Sequence, residues 1–445
     1  MLKRRLGLFD ATLLVIGNVV GAGIFTTSGF LAGELPQPHF FIVIWVIGGL
    51  LTICGALTYA EMAGMFPYSG GDYQFLKAAY GRWAGFLLGW VSFWVINPGS
   101  LAALSIALIN YVKHFFFFNN VLSEKLLAIG IICFLSLINY RGVRLSGTTQ
   151  DIFTVGNLFI VAALIVGGLI SQNGNWQHFT VTHAESITVG KLFGPAMIAV
   201  IFTYSGWFVS AYIGDEVKNP TRNLPLSLLI GTSIVAIIYT LINITYIYAV
   251  PLSQLKGVIN VAQVTAENLF NPVFAHIISL SIILAIAASI NATILAGTRI
   301  YYAMAADNIF WSPLKNLHYV YKTPHISILS QMILASLFVL LGTFEQLLSY
   351  VVFVMLLSSI VTGFAHFVLR WRKPDVQRPY RTWGYPVVPL LFISFYIFIA
   401  SNIVYERPST SLMGILIALS GLPFYIIWKK RNALKGGQNK ENGMA

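Results

Sequence analysis

An all-α membrane protein with 12 transmembrane helices is the fold class this sequence predicts, and three observations carry the prediction. Only 9% of its 445 residues are charged and 57% are hydrophobic, where a soluble domain carries roughly 25% charged residues. Those charges leave twelve long uncharged intervals between them: 11–33, 35–60, 83–112, 126–140, 152–184, 192–214, 223–255, 268–298, 323–344, 346–369, 382–405 and 408–428. The 27 Lys and Arg outnumber the 15 Asp and Glu, and the excess falls in alternate connections. The first observation already excludes a water-soluble multidomain enzyme and a disordered chain.

A helix crossing about 30 Å of hydrocarbon needs about 20 mostly apolar residues, and eleven of the intervals reach that length. In lipid every backbone N–H and C=O must be paired within its segment, so such spans are helices. The first is interrupted: Ile16-Gly-Asn-Val-Val-Gly-Ala-Gly-Ile-Phe25 places three glycines in seven positions. The second, third and fifth are continuous. The fourth has 15 uncharged residues and spans only by taking in Val121, Leu122 and a snorkelling Lys125. The sixth reads Phe202-Thr-Tyr-Ser-Gly-Trp207, small and polar near its middle. The seventh to twelfth are rich in Ile, Leu, Val and Phe, with Arg299 at the inner end of the eighth. Residues 1–430 thus form one transmembrane domain, and the polar tail 431–445 is expected to be disordered.

An even number of spans places both termini on one side. With the N-terminus inside, 21 of the 27 Lys and Arg are cytoplasmic. Five (Lys113, Lys125, Lys191, Lys256 and Arg407) are external, and Arg299 stays within a span. The positive-inside rule therefore predicts a multi-pass protein of the cytoplasmic (inner) membrane with both termini cytoplasmic. The basic groups form no stripe, so no nucleic-acid partner is expected. Met1-Leu-Lys-Arg-Arg5 runs straight into apolar sequence with no cleavage site, so no removed signal peptide is expected. Cys54 and Cys133 fall inside spans and imply no disulfide framework.

The first and sixth spans occupy equivalent places if spans 1–5 and 6–10 are two copies of one unit. Glycine costs up to about 1 kcal/mol in a helix interior, so these clusters favour local unwinding. Close helix packing through small residues is the competing reading. Matched interruptions in two halves are the sequence pointer to the site of an inverted-repeat transporter. A Rossmann loop is excluded, because Thr26 stands where a third glycine belongs. Freed N–H groups at the start of a second half-helix suit a carboxylate. Freed carbonyls at the end of the first suit an ammonium group. An α-amino acid zwitterion carries both side by side.

Gly17-Asn-Val-Val-Gly-Ala-Gly-Ile-Phe25 resembles the first-helix motif of the amino acid–polyamine–organocation (APC) superfamily. Four further stretches resemble it in the right order: Glu61–Tyr73, Asp215–Pro225, Gly297–Asp307 and Arg378–Pro386. The likeness covers about residues 5–430 and is nearest to bacterial permeases similar to the L-type exchangers. It implies a five-plus-five inverted repeat with discontinuous helices 1 and 6 plus two additional C-terminal helices. By this resemblance, N–H groups around Gly21, Ala22 and Gly23 hold the substrate carboxylate, and carbonyls of Val19, Phe202 and Ser205 hold the amino group. Phe202 closes over the substrate and Ser100 and Phe208 lie near its side chain, with Gly206 a further substrate-binding candidate. Many relatives carry a lysine at the position of Asn157, which cannot carry charge. Asn157 and Ser289 are therefore coupling or gating candidates, around a real cation (H+ or Na+) or none. The loop Lys113–Glu124 lacks the cysteine by which animal relatives bond an accessory chain, so no disulfide-linked partner is expected.

The remaining polar residues read more plainly. Glu61, Asp151, Asp215 and Glu216 sit near cytoplasmic helix ends, for hydrogen bonds and salt bridges or for gating. Arg299 snorkels or pairs with a carboxylate. His276 and His366 read as packed, Arg378–Pro386 as a shaped loop, and Trp83, Trp311 and Tyr405 as interfacial anchors. No acidic residue stands among the candidates, and an unpaired cationic side chain in low dielectric is costly. Neutral L-amino acids are thus favoured over arginine, lysine or polyamines. Trp94 and Phe208 narrow the pocket while Ser100, Ser205 and Gly206 leave room. An enzyme is not expected, for there is no HExxH, Cys/His cluster or paired intramembrane acid, and neither metal nor cofactor is called for. The expected function is secondary active transport by alternating access, as exchanger or symporter; the alternatives are an amino acid sensor or a transporter of cationic amino acids or polyamines.

Overall fold

A computed structural model describes residues 4–35, 37–113, 115, 120–180, 189–258, 260–342, 344–406 and 408–441. Lys3, Arg407 and the end of the tail, 442–445, lie outside the described residues. The chain is all-helical, with two isolated β-bridges and no strand among the described residues.

In chain order the helices are α1 (Leu8–Val19), α2 (Ala22–Glu34), α3 (Pro38–Met65), α4 (Asp72–Tyr80), α5 (Arg82–Val91) and α6 (Asn97–Val112). Then follow α7 (Val121–Arg141), α8 (Val143–Ile170), α9 (Val189–Tyr204), α10 (Pro220–Ala249), α11 (Leu252–Leu255) and α12 (Val261–Leu269). The last are α13 (Pro272–Ala306), α14 (His325–Leu341), α15 (Phe344–Arg372), α16 (Val387–Glu406) and α17 (Pro408–Glu441). Each uncharged interval falls on a helix or on a pair of them. Among the described residues ten stretches are long and apolar enough to cross a membrane, α1–α2 and α5–α6 each counting as one. Two apolar helices are shorter, α14 and the 16-residue α9. This is a multi-pass membrane protein. Its outer surface is correspondingly greasy: Phe159, Ile170, Leu341 and Tyr405 are exposed where a soluble protein would place polar groups.

Helix ends depart from the charge-defined limits for physical reasons. The fourth span does begin at Val121, capped by the Asn120 side chain accepting from Ser123 N–H at 2.8 Å. The eighth runs past Arg299 to Ala306, because that arginine is buried against a carboxylate rather than stopped by water. α17 continues into the polar tail as far as Glu441. Between α5 and α6 the helix widens into a π turn, Ser92–Ile96. Pro98 lacks an N–H for the carbonyl four residues back and its ring crowds it, and such bulges commonly mark functional sites.

α1 packs against α10, α8 and α13, and α3 lies along α10. A buried polar net joins α7, α8 and α13: Asn139 Nδ2 donates to Asn291 Oδ1 at 2.8 Å, and Asn291 Nδ2 to Gln150 Oε1 at 3.0 Å. Near one end of the bundle Glu61 of α3 is fully buried. It accepts from Arg370 (Nε 2.9 Å, Nη2 2.6 Å) and from Thr382 N–H at 2.7 Å, with His366 Nε2 at 3.2 Å. The Arg378–Pro386 stretch thus does more than shape a loop. It brings Thr382 and Arg378, whose Nε lies 3.2 Å from Glu61 Oε1, onto a carboxylate shared with α15. At the same end the N-terminal segment is tied down, Arg5 and Leu6 N–H donating to the Glu216 carbonyl at 2.8 and 3.0 Å.

Candidate functional site

Both predicted interruptions are present. α1 stops at Val19 and α2 starts at Ala22, with Val20 and Gly21 outside helical geometry. α9 stops at Tyr204 and the chain turns through Ser205–Phe208 into a short 3₁₀ turn, Val209–Tyr212. Gly206 sits at φ +92°, a backbone region that glycine alone enters easily.

The two breaks touch. Asn18 Nδ2 donates to the Gly206 carbonyl at 2.9 Å, and Thr27 and Thr203 hydroxyls are 2.7 Å apart. Tyr239 of α10 reaches the Val19 carbonyl at 2.6 Å and the Thr203 carbonyl at 3.2 Å, so one hydroxyl serves both broken helices. From α13, Ser289 Oγ meets the Gly17 carbonyl at 2.9 Å and the Asn18 carbonyl at 3.2 Å. Carbonyls released by unwinding are therefore met by side chains of neighbouring helices, as buried backbone requires. Both sequence readings of the glycines apply at once. They break the helix and they allow contact: a Cβ on Gly21 would fall 2.4 Å from Ser289 Oγ, and one on Gly17 2.1 Å from Thr154 Oγ1. Tyr239→Phe removes the one hydroxyl proton these carbonyls share, while the Val19 carbonyl keeps Gly21 N–H, so thermal unfolding of the purified protein should show a loss of about 0.5–1.5 kcal/mol. An unchanged midpoint would remove Tyr239 from this role.

Around the breaks lies a cavity of about 110 Å³. That is several times the roughly 10–15 Å³ that a single water needs. Val19, Gly21, Gly23, Ser100, Phe202, Ser205, Gly206 and Phe208 all line it, as does Ser289. Of Ala22 only the backbone is described, as the first residue of α2. The remaining candidate, Asn157, is not among the lining residues. It is 1% exposed in α8, with its Oδ1 lacking a hydrogen-bond partner among the described residues. Val19 is also more occupied than expected, because its carbonyl accepts from Gly21 N–H at 2.7 Å as well as from Tyr239. No cluster of His, Cys, Asp or Glu that could hold a metal is found among the described residues.

Sequence reasoning missed Tyr239, Asn97, Thr293 and, most consequentially, Asp72. Its carboxylate stands on the cavity wall, though no acid stood among the predicted lining. Asp72 is 4% exposed, Oδ2 accepts from the Tyr212 hydroxyl at 3.0 Å, and Oδ1 has no hydrogen-bond partner among the described residues. Burial pushes its pKa up to about 7 against the opposing pull of the Tyr212 and Tyr59 hydroxyls. Ser69-Gly-Gly-Asp72 lies within the Glu61–Tyr73 stretch that resembles the family, but the sequence places it in a loop.

The family model described as "Amino acid permease" matches residues 6–423. The chain is similar to the serine/threonine exchanger SteT of Bacillus subtilis, 32% identical over 435 residues, 97% of this chain and 98% of the relative. It is 29% identical to the human large neutral amino acids transporter small subunit 2 over 435 residues, 96% of this chain and 80% of that one. With the mouse Asc-type amino acid transporter 1 it shares 29% over 440 residues, 97% and 82% of the two chains.

Proposed function

The chain belongs to the amino acid permease family, and from that premise we propose that it is a secondary transporter carrying neutral L-amino acids across the cytoplasmic membrane by alternating access. The observation that carries this reading is the meeting of two helix breaks on one cavity whose wall holds no Lys, Arg or His among the described residues. N–H groups of Ala22, Gly23 and Ile24 open α2 without intrahelical acceptors, at the positive end of its dipole, and suit the substrate carboxylate. Carbonyls of Phe202 and Ser205, at the negative end of α9, suit the ammonium group, with Val19 contributing a remaining lone pair. Phe202 and Phe208 stand at the cavity as aromatic cover for the side chain.

The wider arrangement follows the same reading. We take the twelve spans as the ten long apolar stretches with α9 and α14, in a five-plus-five repeat whose first helices are the two broken ones. The 21-to-5 distribution of basic residues supports cytoplasmic termini. Residues 1–430 act as one transporter domain. Relatives named as a serine/threonine exchanger and as neutral amino acid transporters support exchange of neutral substrates. Asn157, neutral and with an oxygen unpartnered among the described residues, is a candidate position for a coupling ion, and Ser289, which holds the Gly17 and Asn18 carbonyls, is a second. Asp72 favours one second reading, a cationic substrate paired with its carboxylate, and competition by arginine decides between them.

Proteoliposomes loaded with unlabelled neutral amino acid should accumulate labelled neutral amino acid, and empty ones should not. Uptake driven by a pH or Na+ gradient alone would replace exchange by symport. Binding without uptake would leave a sensor and overturn the proposal.

A further inference from the structure

We propose that Asp72 is a proton-binding site in the wall of the transport cavity, and that its proton must leave before the cavity opens to the cytoplasm. This rests on the transporter reading above, which places the α3–α5 connection on the cytoplasmic side. Gly70 (φ +117°) and Gly71 (φ +49°) turn the chain so that α4 begins inside the bundle rather than at its surface. A Cβ on Gly71 would fall 2.7 Å from the Tyr212 ring, so the close approach requires glycine. The carboxylate that results is buried with one oxygen bonded and one bare.

Among the described residues no cation answers it. From the turn after the sixth span it meets Tyr212, and from α3 it meets Tyr59, whose own hydroxyl lacks a hydrogen-bond partner among the described residues. On its own helix, Lys77 is paired with Asp307. On the packed α15, His366 and Arg370 are taken by Glu61, and Arg372 Nη1 bonds the Ala79 carbonyl. Arg82, opening α5, acts on Tyr73. An ionised carboxylate with a bare oxygen is costly in such a place, so the closed cavity holds the acid form and the ionised form calls for water, which arrives when α4 and the Tyr212 turn part.

The sign follows from linkage. The closed state binds the proton with a midpoint of about 7, and a hydrated carboxylate in the open state with the ordinary value of about 3.9. Raising cytoplasmic pH therefore favours opening until the closed form also ionises. Where opening limits exchange, the rate should rise about fivefold from internal pH 6 to 7 and less than about twofold from 7 to 8.

The test is exchange in oriented proteoliposomes, with internal and external pH set independently and intraluminal pH followed by a trapped dye. Wild type should respond to pH on the side of the termini, with no proton carried per amino acid. Asp72→Asn should run at the acid-limb rate at every pH. Tyr212→Phe, which deletes the donor to Oδ2, should move the midpoint upward while keeping the rise, and it decides the matter if Asp72→Asn does not fold. A pH rise surviving in Asp72→Asn, dependence on the opposite side only, or stoichiometric proton flux would each overturn the proposal. Absence of wild-type exchange at all pH values would instead strike the transporter reading.

Discussion

Replacing Gly206 by alanine is expected to lower amino acid exchange about a hundredfold while leaving the helical content intact. The residue lies at φ +92°, where any side chain is strained, and the strain of left-handed backbone is about 1–2 kcal/mol. The added Cβ would also fall 2.3 Å from Asn18 Nδ2. That amide is the donor joining the two breaks, at 2.9 Å from the Gly206 carbonyl. Displacing it costs that hydrogen bond, about 0.5–1.5 kcal/mol, while Val209 N–H at 3.1 Å still reaches the carbonyl. Together the terms come to about 2–3 kcal/mol, which approaches two orders of magnitude in an equilibrium constant.

Gly21→Ala makes an instructive comparison. Its Cβ would meet Ser289 Oγ at 2.4 Å, but its φ of −117° is ordinary. The Ser289 hydroxyl is the main obstacle, with its Cβ at 3.1 Å, so Ser289→Ala should restore part of what Gly21→Ala loses while withdrawing the donor to the Gly17 and Asn18 carbonyls. No such partner change can rescue Gly206, because the strain is in its own backbone. Initial rates in proteoliposomes, with thermal unfolding measured beside them, separate these cases. Gly206→Ala exchanging at the wild-type rate would remove the second break from the transport site.

The contrast between these glycines also shows what a sequence discloses. Interruptions are visible as composition: Gly17, Gly21, Gly23 and the Ser205–Gly206 pair stand out against Ile, Leu and Val, and the helices do stop there. Partners across the fold are invisible, since they depend on which faces meet. Tyr239 sits in an apolar run of α10 and nothing local marks it, yet it bonds both breaks. Asp72 looked like a loop residue because α4 is too short and polar to announce itself. Charges located the spans well and their ends poorly. Buried ions in helices such as Glu61 and Arg299 are compensated by partners distant in sequence.

That last pair yields the other large effect. Arg299→Met is expected to destabilise the protein by about 3–5 kcal/mol, the usual consequence of leaving one member of a buried ion pair uncompensated. Arg299 and Glu216 both have side chains at 0% exposure, joined by Nε and Oε1 at 2.8 Å. Arg299 Nη1 goes to Thr298 at 2.9 Å, while Nη2 and Glu216 Oε2 have no hydrogen-bond partner among the described residues. With two polar atoms unsatisfied, the pair is a poor source of net stability compared with apolar residues of similar volume. The double variant Arg299→Met with Glu216→Leu should accordingly recover most of the lost unfolding midpoint, since neither charge remains. Transport need not recover with it. Glu216 adjoins the segment that receives Arg5 and Leu6 through its carbonyl, and Lys218 N–H donates back to Leu6 at 2.8 Å. The ion pair therefore fixes α13 to the same short stretch that anchors the N-terminus, just beyond the second helix break. A double variant that is stable but slow would assign the pair to holding that end of the bundle closed; one that is stable and fully active would make it a replaceable fastening. A loss below about 1 kcal/mol in Arg299→Met alone would contradict the burial on which the argument stands.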